Sequence, residues 1–220
     1  ALESGLGNGA GARRLLKEIQ AQPGREAFAF ALEGDLESSQ RNWDAARAAY
    51  RRALERGGQA GEVAGKLHGS LVAGGKEADA QSFEKQWLAD HPEDWAFRTY
   101  LGNLALARSA FDAARTHYES VLKGQSGNAV VRNNRAWVLL QTGNLAEAET
   151  HVAQALTQRP GDAEVLDTQA LLLSRQGKHE QALQVQRRVV GVEPGNPARR
   201  VALAKLMVAA KQNEQGSHQA

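Results

Sequence analysis

Residues 127–160, GNAVVRNNRAWVLLQTGNLAEAETHVAQALTQRP, and residues 161–194, GDAEVLDTQALLLSRQGKHEQALQVQRRVVGVEP, write one pattern twice in the same register. Ala136, Gly143, Ala148 and Pro160 are each followed, 34 residues later, by Ala170, Gly177, Ala182 and Pro194. Four matches at one spacing mark a structural repeat, and fixed periods of 20–50 residues are the signature of solenoids. Each copy reads as two helices joined by a glycine turn.

The register extends outward in both directions. The second-helix alanine recurs as Ala12, Ala46, Ala80, Ala114, Ala148 and Ala182. Closely crossing helices need a small side chain there, because a larger one forces them apart. The first-helix column reads Gly34, His68, Gly102, Ala136, Ala170 and Ala204, with His68 as the exception. Arg41, Gly75, Ser109, Gly143 and Gly177 mark the turn within each hairpin, where glycine supplies a left-handed cap. Pro92, Pro160 and Pro194 start the following unit, with Gly58 and Ser126 in the corresponding places of two units. The expected fold is therefore all-α: a right-handed α-solenoid of antiparallel helix hairpins.

These columns divide the chain into a truncated repeat (1–24, second helix only), five hairpins (25–58, 59–92, 93–126, 127–160 and 161–194), a capping helix (195–211) and a tail (212–220). Residues 1–7 are expected to be poorly ordered. The chain starts Ala1-Leu2-Glu3, its only methionine is Met207, and Gly7 and Ala12 already occupy hairpin columns, so it reads as an excerpt of something longer. On the final helix, Val201, Leu203, Ala204 and Met207 are available to cover the last hairpin. Arg199, Arg200, Lys205 and Lys211 belong to its outer face, as an end cap requires. In the hairpin 59–92, His68, Trp87 and three glycines (Gly61, Gly65, Gly69) disturb the pattern. Glycine inside a helix costs about 1 kcal/mol relative to alanine. That hairpin is either locally loose or open to a partner's close approach. Trp43 reads as a hairpin-core aromatic, with a ligand-stacking platform as the alternative.

With 220 residues and 42% hydrophobic content, the chain has ample material for a core. A net charge of +2 gives no strong case for nucleic acid, despite a pI near 9.0. Three of the four arginine pairs, Arg13-Arg14, Arg51-Arg52 and Arg187-Arg188, lie on second helices among acidic residues and read as a solvated face. The fourth, Arg199-Arg200, belongs to the capping helix. The absence of cysteine excludes disulfides and thiolate chemistry. No apolar run reaches membrane-spanning length and no secretory signal is present.

The histidines form no metal-ligand cluster, and His117 and His151 are expected to face solvent. No nucleophile elbow or phosphate loop is present. The reading is a non-enzyme without metal or cofactor.

The columns resemble tetratricopeptide repeats across 9–211. In that family first helices line a concave groove that holds an extended peptide or a partner's helix. The resemblance implies groove positions Thr99, Asn103, Asn133, Asn134, Trp137, Asp167, Thr168 and Lys205. Asparagine both donates and accepts, so it can grip a peptide backbone without selecting a side chain. Asn103 and Asn134 are the leading candidates, although Asn133-Asn134 also suit a helix start. Chaperone-binding members clamp a carboxylate with cations beside their asparagines. Here those cationic places hold Thr99, Glu164 and Thr168, so that activity is not expected.

Glu33-Gly34-Asp35-Leu36, Ala49-Tyr50-Arg51-Arg52-Ala53-Leu54, Asn133-Asn134-Arg135-Ala136-Trp137 and Val165-Leu166-Asp167-Thr168 are similar to the C-terminal array of PEP-CTERM-system tetratricopeptide lipoproteins. That family usually has leucine where this chain has Arg135. The similarity implies a scaffold with a protein or peptide partner, periplasmic or attached to the outer membrane, in exosortase-linked protein sorting and exopolysaccharide export. A cytoplasmic location is the alternative. Two rival functions remain: a structural spacer in a longer protein, and a secretion adaptor stacking glycan on Trp95, Tyr100 and Trp137. Exposure of those rings separates the second rival from the rest.

Overall fold

The computed structural model describes the backbone of residues 9–58 and 60–217. The expected disorder of 1–7, the turn position Gly7 and the last three tail residues lie outside them. Among the described residues there are twelve helices and no strand. They fall into two units, Ala1–Tyr100 and Leu101–Ala220.

The first unit contains α1 (Gly9–Gln20), α2 (Glu26–Ser39), α3 (Trp43–Glu55), α4 (Ala60–Ala73), α5 (Glu77–Asp90) and the start of α6 (Trp95–Ala107). The second contains the rest of α6, then α7 (Phe111–Gly124), α8 (Ala129–Gln141), α9 (Leu145–Gln158), α10 (Ala163–Arg175), α11 (His179–Val192) and α12 (Pro197–Ser217). Sequential helices pack on each other, α2 on α3, α8 on α9 and α10 on α11.

The six column alanines are 0–3% exposed. All five turn-column residues have positive φ: 60° at Arg41, 73° at Gly75, 57° at Ser109, 82° at Gly143 and 76° at Gly177. Position, rather than residue type, sets the turn. Arg41 and Ser109 adopt a conformation that non-glycine residues reach only with strain.

A second rule couples the helices of a hairpin. The first-helix column and a second-helix residue 16 positions later pair as Gly34 with Tyr50, His68 with Glu84, Gly102 with Tyr118, Ala136 with Val152 and Ala170 with Gln186. A Cβ on Gly34 or Gly102 would run into the tyrosine ring. Ala136 and Val152 share one core cluster. His68, which breaks the small-residue column, has Glu84 at the position where Gly34 and Gly102 have a tyrosine: His68 Nε2 lies 3.7 Å from Glu84 Oε2. Two repeats thus set a glycine against a tyrosine and one sets an alanine with a valine, which keeps the space filled.

The hairpin 59–92 is a regular helix pair, and its irregular residues have partners within the same unit. Gly65 and Gly69 let Tyr100 lie against α4, with a Cβ on Gly65 only 3.1 Å from the ring. The Tyr100 hydroxyl meets His68 Nδ1 at 3.0 Å. Trp87 stacks on His91 at 4.1 Å, and its ring N–H donates to Asp94 at 2.9 Å. The bare backbone is therefore covered by the chain itself. Trp43 is half-buried, with its Cβ 3.1 Å from where a Gly74 side chain would begin.

Three expectations are corrected. His151 is 8% exposed rather than solvent-facing: burial, with the Arg135 charge added, holds its pKa below the usual value. The capping helix runs on to Ser217 instead of ending at Lys211. Arg199 does not lie on the outer face of that helix. It is 8% exposed and pairs with Asp167 at 2.7 Å, Glu193 at 3.3 Å and Glu164. Three carboxylates outweigh the desolvation of one guanidinium and raise its pKa. Val201 and Met207, also expected to cover the last hairpin, are 54% and 50% exposed, while Leu203 is half-buried.

Candidate functional site

First helices carry the candidate groove positions, one helical turn apart, because residues 3 and 4 apart share a helix face. Asn103 on α6 is exposed, and Asn134 on α8 is half-buried. Asn103 Oδ1 accepts from Asn134 Nδ2 at 3.0 Å and from the Tyr118 hydroxyl at 2.8 Å. Gly102 makes this possible: without a side chain there, the Tyr118 ring reaches under α6 and delivers its hydroxyl to the next residue. Burial pushes the Tyr118 pKa up to about 12, so it stays a donor at neutral pH.

Asn103 Nδ2 and Asn134 Oδ1 make no hydrogen bond with any described residue. That leaves a donor on the exposed Asn103 and an acceptor on the half-buried Asn134, the two kinds of group a peptide unit pairs with. Trp137, one turn beyond Asn134, is half-buried, with its ring tilted against Phe111 at 6.3 Å.

The other sequence candidates are placed differently. Asn133 and Thr168 are 8% and 4% exposed, turned into the packed interior, so a ligand reaches neither without repacking. Thr168 donates to the Glu164 carbonyl at 3.0 Å. Asp167 is engaged by Gln186 at 2.9 Å and by Arg199. Lys205 is exposed on α12. Thr99 belongs to the first unit, half-buried, and donates to the Trp95 carbonyl at 2.8 Å. Trp95, Tyr100 and Trp137, the rings named for glycan stacking, are each half-buried.

The first unit holds a surface that the sequence reading missed. A cavity of about 310 Å3 opens between α2 and α4, lined by Phe28, Ala31, Leu32 and Val63 and ending at Asp35, Glu62 and Lys66. Phe28, in that lining, is 55% exposed. Asp35 Oδ1 accepts from the Tyr50 hydroxyl and its Oδ2 from Lys66, both at 2.9 Å; Lys66 also pairs with Glu62 at 3.2 Å. Lys66 lies 68 residues before Asn134, and Asp35 the same distance before Asn103. Following those two columns back by two periods identifies the site.

No group of three or more histidine, aspartate or glutamate side chains among the described residues could hold a metal ion, and no described helix is long and apolar enough to cross a membrane.

Models of the tetratricopeptide repeat match residues 70–129 and 105–172. No curated protein sequence matches the chain. Among solved structures, yeast Tom70 superposes with a TM-score of 0.81 at 13% identity, over 92% of this chain and 44% of that one. A tetratricopeptide repeat protein from Parabacteroides merdae gives 0.68 at 13% identity, over 87% and 76%. YrrB, described as a TPR protein with an unusual peptide-binding site, gives 0.57 at 18% identity, over 86% and 96%. The chain spans less than half the length of Tom70. At these identities the likeness shows the fold: an all-α tetratricopeptide solenoid.

Proposed function

We propose that this tetratricopeptide-repeat chain is a non-catalytic scaffold that binds an extended peptide or partner segment on its first helices, with Asn103 and Asn134 as the backbone-gripping pair. The observation that carries the reading is the unused donor and acceptor of those two amides, held in place by Tyr118. The apolar cavity at Phe28 offers the first unit a place for one bulky side chain. YrrB, described as having a peptide-binding site, supports peptide as the ligand class. The similarity of residues 33–36, 49–54, 133–137 and 165–168 to the PEP-CTERM-system lipoproteins supports placing the partner in the periplasm or at the outer membrane, in protein sorting linked to exopolysaccharide export.

Affinity capture from envelope and cytosolic extracts tests this, with wild type beside Asn103→Ala/Asn134→Ala, both shown to be folded by circular dichroism at the capture temperature. A protein held by wild type from the envelope extract and lost by the variant is the expected result. Equal capture by both moves the interface off the asparagines. Capture from cytosol alone removes the envelope assignment, and no capture supports a spacer.

A further inference from the structure

One face of α12 departs from the packing rules followed elsewhere. Val201 and Val208 are 54% and 57% exposed, Met207 is 50% exposed, and Ala204 between them is exposed too. Positions 201, 204 and 208 share one helix face. Their counterparts two repeats earlier, Asn133, Ala136 and Leu140, are 8%, 0% and 0% exposed. On α8 that face is covered by α9, whose Val152 belongs to one core cluster with Ala136 and Leu140. Ala204 stands in the small-residue column, and no described residue fills the hollow that a second-helix side chain fills in the other hairpins.

The rim has one sign of charge. By helical position Lys205 flanks the stripe on one side, and Arg200 and Lys211 flank it on the other. All three are exposed and have no ion pair with a described residue, while Arg199 is used up inside by its three carboxylates. The basic rim argues against a second copy of this chain docking through α12 itself. Toward α1 the argument rests on Lys17, near the 45%-exposed Leu15 in sequence, because Arg13 and Arg14 pair with Glu37 and Glu18. Like charges facing each other across an interface are unfavourable.

We propose that the Val201–Ala204–Val208 face of α12 docks an acidic amphipathic helix, which completes a sixth hairpin by seating one bulky apolar side chain on Ala204 and its carboxylates on Arg200, Lys205 and Lys211. The interaction is helix-in-groove recognition. It goes beyond the first-helix peptide surface, because its centre is the side of α12 that a second helix would cover.

Two peptides of equal length from this chain serve as probes. The α9 sequence, LAEAETHVAQALTQ, carries Glu147 and Glu149; the α11 sequence, HEQALQVQRRVVGV, carries Arg187 and Arg188. Fluorescence anisotropy with the 220-residue chain should show binding of the labelled α9 peptide, weakening as salt is raised, and at least tenfold weaker binding of the α11 peptide. Val201→Asp/Val208→Asp should abolish α9-peptide binding. Lys205→Glu/Lys211→Glu should weaken it and improve the α11 peptide, with helicity unchanged in both variants. Asn103→Ala/Asn134→Ala should bind the α9 peptide as wild type does, which separates this site from the first-helix surface. Equal binding of both peptides, no binding of either, or indifference to Val201→Asp/Val208→Asp overturns the proposal. So does a dimer by sedimentation that Val201→Asp/Val208→Asp dissolves, since the occupant is then a second copy.

Discussion

Asp35, Tyr50 and Lys66 in the first unit and Asn103, Tyr118 and Asn134 in the second stand at the same repeat positions, 68 residues apart. In both, a glycine admits a tyrosine ring, the tyrosine donates to the residue after the glycine, and the next first helix donates to that residue as well. One version is ionic and the other is built from neutral amides. The ionic version uses up its charges internally. Burial works against the Lys66 charge, but hydrogen bonds and the charges of Asp35 and Glu62 raise its pKa on balance. The amide version leaves a donor and an acceptor over. The same frame thus serves as a tie between helices in one place and as a presenting surface in the other.

Removing the rings should break both versions most severely. Tyr50→Ala and Tyr118→Ala, at 2% and 0% exposed, should each cost about 3–5 kcal/mol in denaturant unfolding. A similar loss at both sites is expected; a loss at only one would end the equivalence. Gly34→Ala and Gly102→Ala should each destabilise by about 1–3 kcal/mol, although alanine is the better helix former, because the new methyl meets the ring. A gain in stability at either position would remove the close approach from the account.

Removing only the hydroxyl should separate the two sites. Tyr50→Phe should cost about 1.5 kcal/mol and Tyr118→Phe about 1 kcal/mol, since Tyr50 donates to a charged acceptor and Asp35 is partly solvated. The reverse order would show that the amide site is the more rigid one. The same two hairpins carry the non-glycine left-handed turns. Arg41→Gly and Ser109→Gly should therefore stabilise by about 0.5–1 kcal/mol, read as a higher melting temperature.

The last effect appears only in alkali. Burial raises both tyrosine pKa values, Tyr118 to about 12 and Tyr50 further, where the nearby Asp35 charge adds to it. The unfolded chain loses these protons first, near pH 10. Stability is therefore complete below pH 10 and declines as pH rises toward the folded values. Absorbance titration at high pH should show Tyr118 ionising before Tyr50, and Asp35→Asn should narrow the gap.

The helix pairs and turns were legible because the 34-residue period carries the second-helix alanine and the turn position through every hairpin. Even Arg41 and Ser109 could be placed by register alone. The site was less legible. Asn133 and Asn134 are adjacent on α8, yet one is buried and the other reaches Asn103, and only the helix rotation separates them. Arg199 and His151 look like surface residues by type. Asp167 and Glu164 on α10 hold Arg199, and spacing along one helix does not reveal such partners; His151 is buried without a set of that kind, near the like charge of Arg135. The 16-residue pairing could be read from residue size in four of the five hairpins, where the first-helix position is glycine or alanine; His68 with Glu84 is the exception.

That pairing also decides where such a chain tolerates recombination. A 34-residue deletion with its ends between hairpins keeps every Gly–Tyr or Ala–Val couple intact. The same length removed from one hairpin turn to the next, residues 75–108, preserves the register just as faithfully but sets His68 opposite Tyr118. Two identical-looking edits should thus give one folded protein and one overfilled one, so the unit of inheritance here is the hairpin and not the period.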